Sequence, residues 1–255
     1  MEQAMHERGR CQGVRQILRY NQPFYLGAAA GIALAFLMAL RLSGVFRALL
    51  LSGSAAALFW VCSSLLVSYY VYDRSGLYHL GWVAACLSQA PRLWVNIHAG
   101  LDETSHLLEA TFPSSHGEFL DIYDPEEMTE PSIERARRTA PELRKAIRAS
   151  WRRLPLPAGT FDAVFIMFAA HELRRHQARV QLFREAARLL GAGGELILVE
   201  HVRDWLNFLA FGPGVLHFFP LRAWLTAAQA AGLQVCAETS KTPFVRVLVL
   251  RRMEG

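Results

Sequence analysis

The sequence predicts an open α/β sheet with helices on both faces, preceded by a two-helix apolar hairpin. Three observations predict it. Two uncharged runs, Phe24 to Leu40 and Ala48 to Tyr72, stand close together near the N-terminus. From Leu93 onward, short apolar runs alternate with charged stretches of helical spacing, the pattern of βαβ units. One of those runs, FDAVFIMFA, is nearly unbroken, as expected of a strand covered on both faces.

The hairpin comes first. Hydrophobic residues make up 53% of the 255-residue chain, and the excess sits in the two runs. Each is about long enough to cross a ~30 Å hydrocarbon layer as a helix. A buried core helix or a signal peptide is the competing reading, but the first run lacks a small-residue cleavage site and a second run follows at once. Arg41 to Arg47 makes the turn between them. Arg8, Arg10, Arg15 and Arg19 precede the first run while the turn offers Arg41 and Arg47, which puts both ends of the hairpin in the cytoplasm. The expectation is an integral membrane protein with a cytoplasmic C-terminal domain, at the inner membrane if the source is bacterial.

Cys11, Cys62, Cys86 and Cys236 are far apart and have no metal-ligand spacing, which fits a reducing compartment. The net charge of +5 is explained by arginines facing anionic membrane lipids, the expected partners. No basic-aromatic module for nucleic acid is visible.

The remaining elements follow in order. Residues 1–75 form the tail and hairpin, 76–92 an amphipathic connecting helix, and 93–255 the sheet domain. In the connector, Leu77, Leu80, Val83, Ala84 and Leu87 recur at helical spacing, predicting a helix over Leu77 to Gln89 that lies on the membrane or against the domain and ends at Pro91. LWVNIH is the first strand and EFLDIY the second. PSIERARR opens a helix with proline in its first turn. ELRKAIRAS reads equally as helix continuation or third strand. Glu172 to Leu190 is an amphipathic helix stopped by GAGG, GELILVEH another strand, and Pro220 to Ala231 a further helix. LQVCAETS and FVRVLVLRR close the chain as an antiparallel pair at the sheet edge.

The segment Leu154 to His201, LPLPAGTFDAVFIMFAAHELRRHQARVQLFREAARLLGAGGELILVEH, resembles the central block of class I S-adenosylmethionine-dependent methyltransferases. The leucine-proline turn leading through FD into a strand, the helix ending in RLLGAGG, and the next strand with its acidic and histidine tip carry the resemblance, which extends with the flanking elements over Leu93 to Arg252. It implies a Rossmann-like sheet and S-adenosylmethionine as cofactor. It also aligns Asn96 to Asp102 with the family's first strand tip and glycine loop. Only the middle glycine, Gly100, is kept; His98 and Asp102 replace the outer two, and Asn96 stands in place of the usual acid. Gly100 is where the backbone most needs to approach the ligand. Asp121 falls on the acidic position that binds the ribose hydroxyls, with Asp124 as competitor. Ser150 and Trp151 fall at the adenine end, Trp151 reading as a stacking partner or a surface anchor. Phe168 ends the fourth strand beside the cofactor.

Methyl transfer from a sulfonium needs alignment, exclusion of water and, for a protonated acceptor, a base. His171 and His201, at the tips of strands four and five, are the candidate bases, with Glu172 beside them. Structural packing or capping is the competing reading of both histidines. A metal site joining His171, Glu172, His201 and His217 is set aside because these residues come from separate segments without a local ligand motif. Asp204 to Trp224 is rich in Phe, Leu and Trp, which suits an apolar acceptor, the bilayer, or a core flap.

The leading expectation is therefore a membrane-anchored methyltransferase acting on a hydrophobic or membrane-associated small molecule. The rival is a noncatalytic protein of the same fold with a decayed cofactor loop. A third reading is an enzyme that uses the cofactor without transferring methyl.

Overall fold

The computed structural model describes residues 9–139 and 146–253. The chain divides into two compact units, one formed by the N-terminal segment to Leu77 together with Trp205–Gly214, the other by the rest.

In the first unit, α1 (Gln12–Tyr20), α2 (Gln22–Ala39) and α3 (Gly44–Tyr69) follow closely, and a π-helical turn, Tyr70–Arg74, ends the third. Proline in the first turn of α2 leaves no bond unmade, and Gly44, at φ +61°, makes the sharp entry into α3. Asp73 closes the base: its carboxylate accepts from the Gly13 N–H at 2.7 Å and the Val14 N–H at 2.9 Å, two donors that α1 cannot satisfy itself. Both α2 and α3 are long and apolar enough to cross a membrane. Their outer faces are bare, with Phe24, Leu34, Phe46 and Leu66 each more than half exposed.

A short helix from far along the chain joins this unit. In α8 (Trp205–Phe211) the Phe208 ring meets Trp60 of α3 edge to face at 5.6 Å, and Ser63 Oγ donates to Leu209 O at 3.3 Å. Gly212 follows at φ +54°, where a Cβ would lie 2.6 Å from the Trp60 ring.

The second unit is built on seven strands: β1 (Leu93–His98), β2 (His116–Asp121), β3 (Ile147–Arg148), β4 (Phe161–Met167), β5 (Leu190–His201), β6 (Leu233–Thr242) and β7 (Val245–Arg252). Their order is β3-β2-β1-β4-β5-β7-β6. All neighbours are parallel except β7, which runs antiparallel to both β5 and β6. The expected terminal hairpin is thus present, with β6 at the edge. Strands β1 and β4 are almost wholly buried, which accounts for their unbroken apolar sequences. Among the helices, α5 (Ser105–Thr111), α6 (Pro131–Thr139), α7 (His176–Leu189) and α9 (Leu221–Ala230) belong to this unit. Ala178, Leu182, Phe183, Ala186 and Leu189 of α7 pack into the core with Trp224 of α9.

Three expectations shift. The helix expected over Leu77 to Gln89 shrinks to α4 (Gly81–Ala84). Leu77, Tyr78, Leu80 and Val83 are buried inside protein instead of forming a stripe for lipid, and the Tyr78 hydroxyl donates to Glu103 at 2.7 Å. Helix α7 begins at His176, because residues 170–172 form a separate 3₁₀ turn. The ambiguous ELRKAIRAS contains the two-residue strand β3; its residues 142–145 lie outside the described residues.

Trp94 pairs across strands with Gly117, and a Cβ at Gly117 would come within 2.6 Å of three Trp94 ring atoms. Trp94 is fully buried, so its ring has nowhere to go. Gly117→Ala is expected to destabilise the sheet by about 1–3 kcal/mol through overpacking, read as a lowered thermal midpoint; an unchanged midpoint refutes this packing argument.

Candidate active site

Parallel strands β1, β2, β4 and β5 end on one edge, and their last residues and following turns carry the polar groups. At the tip of β1 the chain turns at Gly100, φ +87°. The residues around it brace one another. Asp102 Oδ1 accepts from the Thr104 N–H at 3.0 Å and the Ser105 N–H at 2.9 Å, closing a turn that leads into α5. Asn96 Nδ2 donates to Thr104 Oγ1 at 2.9 Å and Ser105 Oγ at 2.8 Å. Asn96 and Asp102 therefore staple the turn through their side chains.

The brace is incomplete in one direction. Both ring nitrogens of His98, Asp102 Oδ2 and Asn96 Oδ1 are buried without a hydrogen-bond partner. His98 stands 3.7 Å from Asp102 and 3.9 Å from Asp121, beyond hydrogen-bonding distance of either carboxylate. Buried polar atoms are rarely left so, and a polar ligand at this turn would satisfy them.

Arg137 of α6 enters the same space. A Cβ on Gly100 would lie 2.6 Å from Arg137 Nη1 and 2.8 Å from its Cδ. The guanidinium donates to Asp121 Oδ2 at 2.8 Å and lies 4.2 Å from the centre of the Tyr123 ring. Asp121 Oδ1 meanwhile accepts from the Tyr123 N–H at 3.0 Å. The close approach expected of a cofactor at Gly100 is here made by an arginine, which the sequence did not single out.

Ser150 and Trp151 are placed differently from one another. Ser150 is exposed, whereas Trp151 is buried in the core cluster; its Nε1 donates to Asp124 Oδ2 at 3.3 Å, and the Arg152 guanidinium lies over its ring. The surface-anchor reading of Trp151 is thus corrected, and Asp124, the rival ribose ligand, is engaged elsewhere. Phe168, at the tip of β4, holds φ +51°, unusual for a residue with a side chain, and its ring lies 5.3 Å from that of His201.

The tips of β4 and β5 meet around His171. Its ring Nδ1 donates to Glu200 Oε2 at 2.7 Å and its backbone N–H to Glu200 Oε1 at 3.2 Å, so one buried carboxylate fixes both position and ring orientation. His171 Nε2 stands 3.3 Å from Glu172 Oε1. The His217 ring packs edge-on at 5.1 Å. Arg174 Nη1 ties the two segments together, donating to His171 O at 3.2 Å and His217 O at 2.7 Å.

Charge follows geometry. Burial disfavours the His171 imidazolium, but the Glu200 and Glu172 carboxylates outweigh it and raise its pKa to about 10. His217 is pushed down to about 4 by burial and by the positive charge of His171. Burial tends to raise the Glu172 carboxyl, yet its bond to His171 holds it below the ordinary value.

His201 is not part of this cluster by its ring contacts: Nδ1 bonds to Phe244 O at 2.9 Å, and the ring stacks on Phe218 at 4.8 Å. The structure thus brings His171 and Glu172 together with Glu200, His217 and Arg174. The grouping of His217 with His171 and Glu172, set aside from the sequence for want of a local ligand motif, is present without His201, whereas Glu200 was visible only as a strand-tip acid. Arg174 carried no signal at all.

Removing the Asp102 turn bonds by Asp102→Ala is expected to cost about 1 kcal/mol of stability. Urea unfolding of wild type and variant checks it; equal midpoints would mean that α5 does not need this carboxylate.

Residues 125–198 match a family model described as a methyltransferase domain. A search of curated proteins finds no match. Among solved structures, a SAM-dependent methyltransferase from Aquifex aeolicus aligns at 15% identity over 70% of this chain and 93% of its own, with a TM-score of 0.50. The O-methyltransferase NcsB1 of neocarzinostatin biosynthesis, in complex with S-adenosyl-L-homocysteine and 1,4-dihydroxy-2-naphthoic acid, aligns at 18% identity over 96% of this chain and 74% of its own, TM-score 0.51. The mitomycin 7-O-methyltransferase MmcR aligns at 15% over 96% and 73%, TM-score 0.56. Together with the order and direction of the strands, these matches identify the sheet domain as a class I methyltransferase fold and support S-adenosylmethionine as its cofactor.

Proposed function

We propose that the chain is a membrane-anchored S-adenosylmethionine-dependent methyltransferase that methylates a hydroxyl of a hydrophobic or membrane-associated small molecule. The observation that carries the reading is the stapled turn at Gly100, with its unpartnered buried polar atoms, on the same sheet edge as the His171–Glu200 cluster. A decayed loop has no reason to keep either.

The residues present suit the cofactor. Gly100 leaves the space a Cβ would fill, His98 and Asp102 offer unpaired polar atoms, and Asp121 offers a carboxylate once Arg137 withdraws. When bound, S-adenosylmethionine supplies an electrophilic methyl group whose transfer releases S-adenosylhomocysteine. The chain's own contribution is orientation and proton handling. Glu200 and Glu172 hold His171 as an imidazolium, whose charge would stabilise the oxyanion of an acceptor hydroxyl, and the neutral His217 beside it would take that hydroxyl's proton.

The substrate class rests on apolar surface. Trp205, Leu206 and Phe208 of α8 are exposed in the same unit as the bare helices α2 and α3, which suits a lipid-facing segment and an acceptor drawn from the bilayer. NcsB1, crystallised with a dihydroxynaphthoic acid, supports an aromatic hydroxyl as the acceptor group. A second reading of the helices has its own observation: the alignments with NcsB1 and MmcR cover 96% of the chain and so take in the N-terminal helices, which would then pack on another protein surface. Carbonate extraction of expressing cells separates the two. Retention in the membrane pellet supports the anchor; release to the supernatant removes it. Labelling of Cys11 or Cys236 from outside intact cells would overturn the cytoplasmic orientation.

Calorimetry of the detergent-solubilised chain tests the cofactor. S-adenosylmethionine and S-adenosylhomocysteine are expected to bind, Asp121→Ala to lose binding, and Arg137→Ala to bind several-fold more tightly because the competing guanidinium is gone. No heat from either ligand at roughly millimolar concentration sinks the enzyme reading, and weaker binding by Arg137→Ala makes Arg137 a ligand contact. His171→Ala is expected to lower methyl transfer by about 10²–10⁴-fold while leaving cofactor affinity nearly unchanged; undiminished turnover removes it from the mechanism.

A further inference from the structure

The turn after β4 and the 3₁₀ segment before α9 place three ligand-type side chains together. One ligand atom each from His171, Glu172 and His217 lies within 4.8 Å of the others. Two histidines and one carboxylate are the donor set of open, three-ligand transition-metal sites. The spacing fits as well: a tetrahedral ion with bonds of about 2.0–2.1 Å holds neighbouring ligand atoms about 3.3 Å apart, and His171 Nε2 stands 3.3 Å from Glu172 Oε1.

The surroundings match what such a site requires. Histidines that bind metals direct their other ring nitrogen to a carboxylate. His171 Nδ1 donates to Glu200 at 2.7 Å, which turns Nε2 toward Glu172, and His217 Nδ1 faces Glu130 at 3.6 Å. Glu172 is 7% exposed, and its Oε2 is buried without a hydrogen-bond partner. An unpaired buried carboxylate oxygen is costly, and a cation satisfies it. Arg174, bonded to the carbonyls of both His171 and His217, fixes the two ligand-bearing segments in register before any ion arrives.

We propose that His171, Glu172 and His217 form a divalent transition-metal site of the zinc type, with Glu200 orienting His171 and at least one coordination position open. The ion stands where the Nε2 proton of His171 stands in the metal-free chain. Binding of the ion does not depend on the methyltransferase reading; only its use does, as a Lewis acid that would lower the pKa of an acceptor hydroxyl.

The test uses the untagged, detergent-solubilised full chain, stripped with a chelator and dialysed against Zn²⁺ or Co²⁺. One equivalent is expected to bind at micromolar free ion, and the Co²⁺ form to show the visible absorption of a four- or five-coordinate ion. Glu172→Gln and His217→Ala should each abolish that signal, with circular dichroism confirming the fold. Glu200→Gln should weaken binding about 10–100-fold. Absence of saturable binding overturns the proposal, as does binding that survives both ligand substitutions. Cofactor calorimetry on the same samples keeps the two readings apart, since the metal can fail while S-adenosylmethionine still binds.

Discussion

Burial of the sheet on both faces is the constraint from which the rest follows. Val95, Ile97, Val164, Ile166, Leu196 and Leu198 are sealed from water, so the middle of the sheet has no place for an uncompensated charge. The polar side chains of the candidate site gather toward the carboxyl ends of the parallel strands. There they must satisfy one another, and they do so in two groups: the stapled turn beyond β1 and the carboxylate-gripped histidine between β4 and β5. Glu200 holds because both of its oxygens have donors on one residue. A carboxylate this buried and unpaired would cost several kcal/mol.

The two groups differ in what they leave unfinished. Around His98 the missing partners are hydrogen-bonding ones in a space crossed by Arg137. Around Glu172 one carboxylate oxygen, Oε2, is left without a partner while the other meets His171. Arg137 therefore has two opposed relations to the turn at Gly100: it neutralises Asp121, and it fills the space beside Gly100 that a ligand would enter. Such an arrangement stabilises the ligand-free turn and lowers apparent affinity by the same amount. The strained backbone at Phe168 sits between the two groups, beside His201, and is held by the Phe168 N–H bond to Val199 O.

The sheet was legible because burial on both faces writes itself directly into sequence. β1 spans LWVNIH as read, and β4 and β7 follow their apolar runs. The connector was misread for a related reason: Leu77, Leu80 and Val83 have helical spacing, but they are buried from irregular turns, and burial alone does not distinguish the two. At the site, glycine, acid and strand-tip positions were readable from one segment each. Arg137 was not, since one arginine in ERARR looks like any solvated helix face until the helix is placed. His217 was grouped with His171 and Glu172 only in a metal reading that was set aside, because their meeting is a property of the folded sheet and not of local spacing.

Segment Trp205–Gly214 has a consequence for how the protein is made. The N-terminal helices leave the ribosome first, while the strip that covers Trp60 is still about 130 residues from being synthesised. At about 5–20 residues per second, that interval is on the order of ten seconds. During it the hairpin must stand without its last helix, and β5 cannot be joined to α9 until that helix has been threaded out and back. Biogenesis of the two units is interlocked: neither is finished before the other is nearly complete, so a nascent chain halted near residue 204 carries a hairpin and a sheet that are both missing a piece.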